Sequence, residues 1–428
     1  MKILRQNVLL KVLSLNSISV MVSFVLGIFS AKIVSVFLGP AGMALLGSFR
    51  NFSAMVKSVA TLGVNNSAIR LFVENKEDSK ALSAVYSTFF WLFLLVSSVM
   101  AALLLLLANP ISAFLFYTDH YAMPVRFFGM LLPLMAINAF WIAIYNGWAK
   151  YKKIVLIQII SNVLIFAFTG LLIWKQQLYG GLLAMGLGEA LLFLVTFFYV
   201  QSDRALFRFE LVRKIDRKYT GVIGKFSAMA LLSAILIPLV LILVRNHIVD
   251  RWGVEQAGIW DAVNRLSGFY MTLFSSGLSL YYMPKLASLH TESAFKGELK
   301  SYFRSFIPLF VLMLLLLFVF KDAVLALAFT QQFAAVNELL IWQMLGDLVK
   351  MMTLAFGFQI LVKTRMRDYF IVELVFNGCY LLLSFLLVRV HAVEGALQAY
   401  FLANVCSFAV IVWLFRGLFR GNSTSQTQ

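Results

Sequence analysis

Apolar runs of close to twenty residues recur along all 428 residues of this chain, separated by short polar links. At about 1.5 Å per helical residue, a run of that length matches the roughly 30 Å hydrocarbon core of a bilayer. In hydrocarbon every backbone N–H and C=O must be satisfied internally, which leaves helices or closed barrels. A barrel would alternate polar and apolar residues over segments of about ten, and these runs do not alternate. The sequence therefore predicts an all-α integral membrane protein. Composition agrees, with 61% hydrophobic and 13% charged residues, where soluble domains are nearer half and a quarter.

Twelve spans are expected, at roughly 13–38, 41–66, 82–107, 123–147, 154–174, 179–201, 220–244, 257–282, 304–320, 337–361, 369–388 and 395–415. The first lacks a small-residue cleavage site and reads as a retained helix, not a signal peptide. With the N-terminus in the cytoplasm, 24 of the 36 Lys and Arg fall on the cytoplasmic side and six on the other. That asymmetry puts both termini in the cytoplasm and accounts for most of the +17 net charge without nucleic acid. Trp148, Trp174, Trp252 and Trp413 stand near span ends, where interfacial anchors belong. Residues 1–202 form an expected N-terminal lobe, 203–219 a cytoplasmic linker, 220–416 a C-terminal lobe and 417–428 a cytoplasmic tail. Six spans on each side of the linker imply two halves of the same orientation. A short echo, Ala41-Gly42 against Ala257-Gly258, supports the repeat.

Charges inside spans are the candidate functional positions, because each costs roughly 3 kcal/mol or more in hydrocarbon. Arg50 and Lys57 are seven apart on the second span, and Ser53 and Thr61 extend the stripe. No Asp or Glu occurs from Ala41 to Val73. Such a stripe faces water or a buried partner, and substrate contact is the leading reading. Arg50 lies about 13 Å from the outer surface and Lys57 about 10 Å deeper, a track on which an anion can be passed inward or outward. Arg in particular suits phosphate, through its planar fork. Lys32 on the first span either contacts substrate or snorkels to the interface. Asp261 and Arg265, and Asp347 and Lys350, are spaced to pair on one helix face, so a structural reading stands beside substrate contact; Gln343 extends the second face. Glu189, in Gly186-Leu187-Gly188-Glu189, is either an ion-coupling carboxylate or a counter-ion for Arg50 or Lys57.

No enzyme motif, metal cluster or cofactor signature stands out. Gly224-Lys225 lacks the rest of a phosphate loop, the four His are scattered, and Cys379 and Cys406 lie in apolar segments.

Three segments, FLGPAGMALLGSFRNF (37–52), AGIWDAVNRLSGFYMTLFSSGLSLYYMPKLASL (257–289) and WQMLGDLVKMMTLAFGFQILVK (342–363), resemble Wzx-type flippases of lipid-linked oligosaccharides, the O-antigen and enterobacterial common antigen translocases. The resemblance runs from about Lys11 to Phe415 and looks closest to the common-antigen branch. It implies the multidrug/oligosaccharidyl-lipid/polysaccharide exporter fold: twelve helices in two pseudo-symmetric six-helix lobes around a central cavity. It also implies a substrate, undecaprenyl-pyrophosphate-linked oligosaccharide, flipped to the periplasmic leaflet of a bacterial inner membrane. Membrane lipids and, in the same pathway, a glycan polymerase and chain-length regulator are the implied partners. Related peptidoglycan-precursor flippases line their cavity with basic residues on the second and eighth helices, the positions by helix of Arg50 and Arg265. Arg265 looks like a departure from the common-antigen branch and reads as tuning for a particular glycan. A cation-coupled multidrug exporter would favour an acidic interior, against five basic and three acidic positions here. A glycan polymerase or ligase would carry a large outer loop, against the short Ala108–Ala122 connection.

Overall fold

Several helices stop or turn where the backbone takes a positive φ, at Leu62, Tyr117, Ala149, Gln177, Thr364 and Ala392. The computed structural model describes residues 2–420 apart from Val64, Lys76, Ala205, Arg208, Glu210 and 213–215. Side chains are described from Ser19 onward, except at 65–67, 217, 222, 225, 226, 229, 280 and 420. The expected linker lies partly, and the expected tail largely, outside these residues.

Two compact units divide the chain, Met1–Ile242 and Leu243–Gln428. The first holds α1 (Lys2–Phe37), α2 (Gly39–Ala60), α3 (Asn65–Glu74), α4 (Ser79–Leu106), α5 (Ala108–Phe116), α6 (Ala122–Gly147), α7 (Tyr151–Ser202) and the start of α8 (Arg217–Trp252). The second holds the rest of α8, then α9 (Val254–Ala287), α10 (Glu292–Ser301), α11 (Ile307–Val319), α12 (Lys321–Ala328), α13 (Val336–Val362), α14 (Met366–Leu414) and α15 (Arg416–Arg420). No strand occurs among the described residues.

Among the described residues, eight helical stretches are long and apolar enough to cross a membrane. Two of them, the 52-residue α7 and the 49-residue α14, exceed what one crossing needs. Each is a hairpin. In α7 the chain turns at Gln177, φ 51°, and an added Cβ on Gly188 would touch the Ile165 side chain at 3.3 Å. In α14 it turns at His391–Ala392, and the Tyr380 and Tyr400 rings pack 5.7 Å apart. The breaks recur at one interval. Ala149 and Thr364, Gln177 and Ala392, and Gly180 and Gly395 each stand 215 residues apart. A Cβ on Gly180 would come within 2.0 Å of the Leu172 oxygen, and one on Gly395 within 2.3 Å of the Leu387 oxygen. Only glycine lets the returning helix approach so closely. This is an internal repeat written in backbone geometry, much stronger than the Ala-Gly echo.

The expected spans fall on these helices, with two differences. The second span ends early, at Ala60, because Leu62 and Gly63 turn the chain at φ 54° and 60°. The connection after α4 is itself a short helix, α5, and α12 occupies the matching place after α11. At the far end of the first unit, Asp203 ties three segments. It accepts from Lys153 and, at 3.0 Å, from the Tyr145 hydroxyl. Burial pushes its carboxyl up, but these hydrogen bonds outweigh burial and hold it below the usual carboxylate range.

Candidate functional site

Helices α2 and α9 are long enough to cross a membrane but are absent from the eight apolar stretches. They carry Arg50, Lys57, Asp261 and Arg265. One face of α2 is closed by aromatic packing. Phe49, fully buried, meets Phe116 of α5 at 5.9 Å and Phe128 of α6 at 5.6 Å between ring centroids. That fixes the roll of α2, and with it the direction of the basic face: Arg50 is exposed and Lys57 half-buried. Seven residues of helix bring the two to nearly the same azimuth, about 10 Å apart along the axis. Ser53 and Thr61 flank them but are buried. Thr61 donates back to the Lys57 carbonyl at 3.0 Å, while the Ser53 hydroxyl has no hydrogen-bond partner among the described residues.

Lys57 meets Glu189. Its ammonium lies 2.7 and 2.6 Å from the two carboxylate oxygens. Glu189 reaches α2 from the second arm of α7, which packs closely on α6 and on the first arm: a Cβ on Gly186 would lie 3.0 Å from the Phe127 ring, and one on Gly188 3.3 Å from Ile165. Of the roles open to Glu189 from sequence, the geometry displays that of counter-ion to Lys57. Lys32 sits half-buried on α1.

In the second unit the carboxylate of Asp347 is wholly buried. It accepts from Ser267 at 2.6 Å, from the Tyr270 hydroxyl, from the Tyr400 hydroxyl at 2.8 Å and, more weakly, from Gln343 at 3.3 Å. The donors come from α9, α13 and the second arm of α14. Lys350 does not bridge to Asp347; its ammonium stands 5.9 Å from the Tyr400 ring centre. Gln343 is 2% exposed, so the face it shares with Asp347 is interior and not an open lining. Asp261 is buried and Arg265 half-buried on α9.

The structure brings together Lys57 with Glu189, and Asp347 with three hydroxyls. Sequence reasoning missed Ser267, Tyr270 and Tyr400, which lie up to 80 positions from Asp347; no local pattern announces them. Arg245 is 2% exposed within α8 and donates to the Asn246 side chain. The arrangement suits binding and exchange of charge. Among the described residues no His, Cys, Asp and Glu cluster could hold a metal ion, and Cys379 and Cys406 are free thiols.

Residues 33–338 match the family described as Polysaccharide biosynthesis protein. Over 398 residues, 93% of this chain, the sequence is 24% identical to the Lipid III flippase of Escherichia coli (strain K12), covering 95% of that protein. The Lipid III flippase of Shigella flexneri matches to the same extent. Among solved structures, the fold is similar to the Lipid II flippase MurJ in an inward closed conformation, with TM-score 0.77, 14% identity and coverage of 94% of this chain and 87% of that one. It is also similar to the inward-facing conformation of a multidrug resistance MATE family transporter of the MOP superfamily, with TM-score 0.69, 12% identity and coverage of 94% and 96%.

Proposed function

We infer the function of this chain from its family: it belongs to the polysaccharide biosynthesis protein family. It is a multi-pass membrane transporter, not an enzyme, and it flips lipid-linked oligosaccharide across a bilayer. In our reading the substrate is an undecaprenyl-pyrophosphate-linked glycan of O-antigen or enterobacterial common antigen type. It moves from the cytoplasmic to the periplasmic leaflet of a bacterial inner membrane by alternating access. The N-terminal lobe spans 1–202 and the C-terminal lobe 220–416, joined by the 203–219 linker, with both termini cytoplasmic. A glycan polymerase and a chain-length regulator are its expected neighbours in the pathway.

The observation that carries the phosphate reading is the basic face of α2, exposed at Arg50 and half-exposed at Lys57 within a membrane-length helix. A charge at that depth is retained where it meets water or ligand. Arg50 and Lys57 are assigned to the pyrophosphate, and Lys32, Arg265 and Lys350 to accessory contacts. Glu189, Asp261 and Asp347 balance charge or couple an ion. A multidrug exporter remains a weaker reading, since the likeness to that class is one of fold alone. The test is leaflet translocation of lipid-linked oligosaccharide by purified protein in liposomes. Movement of the lipid-linked glycan is the expected result; movement of cationic dyes with no glycan lipid moved would return the chain to the exporter class.

A further inference from the structure

The ammonium assigned to phosphate is already taken. Lys57 holds both oxygens of Glu189, 132 residues away in sequence, at 2.7 and 2.6 Å. The pair is not sealed: the side chains keep 34% and 24% of their exposure, enough for a ligand oxygen to reach the ammonium. Both helices are closely packed beside the pair. Gly186 and Gly188 press the Glu189 arm against Phe127 and Ile165, and Phe49 anchors α2 against α5 and α6. Exchange at this point therefore needs only side-chain rotation. A carboxylate presents two oxygens to Lys57 in the way a phosphate does, so the two compete for one site.

We propose that Glu189 is an exchangeable counter-ion: it occupies Lys57 in the empty protein, yields it to a substrate phosphate, and reclaims it as the phosphate leaves. The proposal rests on the flippase reading and assigns a residue to its release step. Without Glu189, Lys57 would offer a phosphate its full attraction. With it, binding gains only the difference between two similar ion pairs, and departure is assisted by the returning carboxylate. Loading and unloading of one lipid then follow the same exchange in opposite directions. A pair with a purely structural role would instead stabilise the fold and leave phosphate affinity unchanged.

The experiment measures binding of inorganic pyrophosphate and of undecaprenyl pyrophosphate to purified full-length protein, with glycan-lipid translocation and thermal unfolding in parallel. Glu189→Gln keeps the shape and removes the competing charge. It is expected to bind both diphosphates about tenfold more tightly and to translocate more slowly. Adding Lys57→Gln to that variant should bring affinity below wild type. Glu189→Asp, whose shorter arm weakens the pair while keeping an acid, should fall between wild type and Glu189→Gln, and serves if the latter fails to fold. Unchanged or weaker binding by Glu189→Gln or Glu189→Asp overturns the exchange while wild-type binding and flipping leave the flippase reading intact. Wild type that neither binds diphosphate nor flips the glycan lipid overturns both.

Discussion

Arg50 differs from Lys57 in geometry more than in charge. Its fork can bond two phosphate oxygens at once, whereas an ammonium acts as a point charge. Arg50→Ala is expected to lower glycan-lipid translocation about 10- to 100-fold, the loss of a charge-assisted contact worth roughly 1.5–3 kcal/mol, with Arg50→Lys intermediate. Full transport by both variants at normal protein levels would remove Arg50 from phosphate recognition. Asp347 poses the opposite case, a carboxylate buried among hydroxyls. Asp347→Ala strips Ser267, Tyr270 and Tyr400 of their shared acceptor, and a loss on the order of 3–5 kcal/mol is expected in thermal or denaturant unfolding. Asp347→Asn retains one acceptor oxygen and should cost about half as much. A normal melting profile for Asp347→Ala would show that the hydroxyls find other acceptors.

The helical hairpins α7 and α14 depend on two glycines. Backbone oxygens at 2.0 Å from a Gly180 Cβ and 2.3 Å from a Gly395 Cβ leave no flexible side chain to move aside. Gly180→Ala and Gly395→Ala are each expected to destabilise by about 3 kcal/mol or more and to lower the yield of folded protein from membranes. Gly221→Ala is the control, since its Cβ meets nothing within 4 Å. Equal yields for all three would mean that the hairpins open without penalty. The polar helices α2 and α9 obey a different constraint. In α2, packing on Phe116 and Phe128 closes one face and leaves the other available for charge.

For the whole molecule the thermodynamics of flipping can be bounded. A membrane potential of roughly 100 mV, inside negative, is worth about 2.3 kcal/mol per elementary charge. Two negative charges leaving the cytoplasm would gain on the order of 4–5 kcal/mol, enough to drive translocation without a coupled ion. In liposomes with correctly oriented protein, an inside-negative potential alone is expected to accelerate glycan-lipid movement. Transport that ignores potential and follows only a proton or sodium gradient would assign coupling to an acid such as Asp261 or Asp347.

Much of the fold was legible because its signals are local. Hydropathy over twenty residues located most of the long apolar helices, and the absence of acids in α2 drew attention to Arg50 and Lys57. Those signals read one helix at a time. The turn at Leu62–Gly63, the short helices α5 and α12, and the matched turns 215 residues apart depend on backbone dihedrals that apolar composition barely marks. By itself the sequence determined an all-helical membrane protein with a basic stripe on its second helix, since lipid permits few other outcomes for such runs. Only the tertiary structure decided that Lys57 meets Glu189, that three distant hydroxyls surround Asp347, and that Arg245 is buried. Pairing across 53 to 132 residues is set by which helix faces pack together, and no single helix encodes its partner.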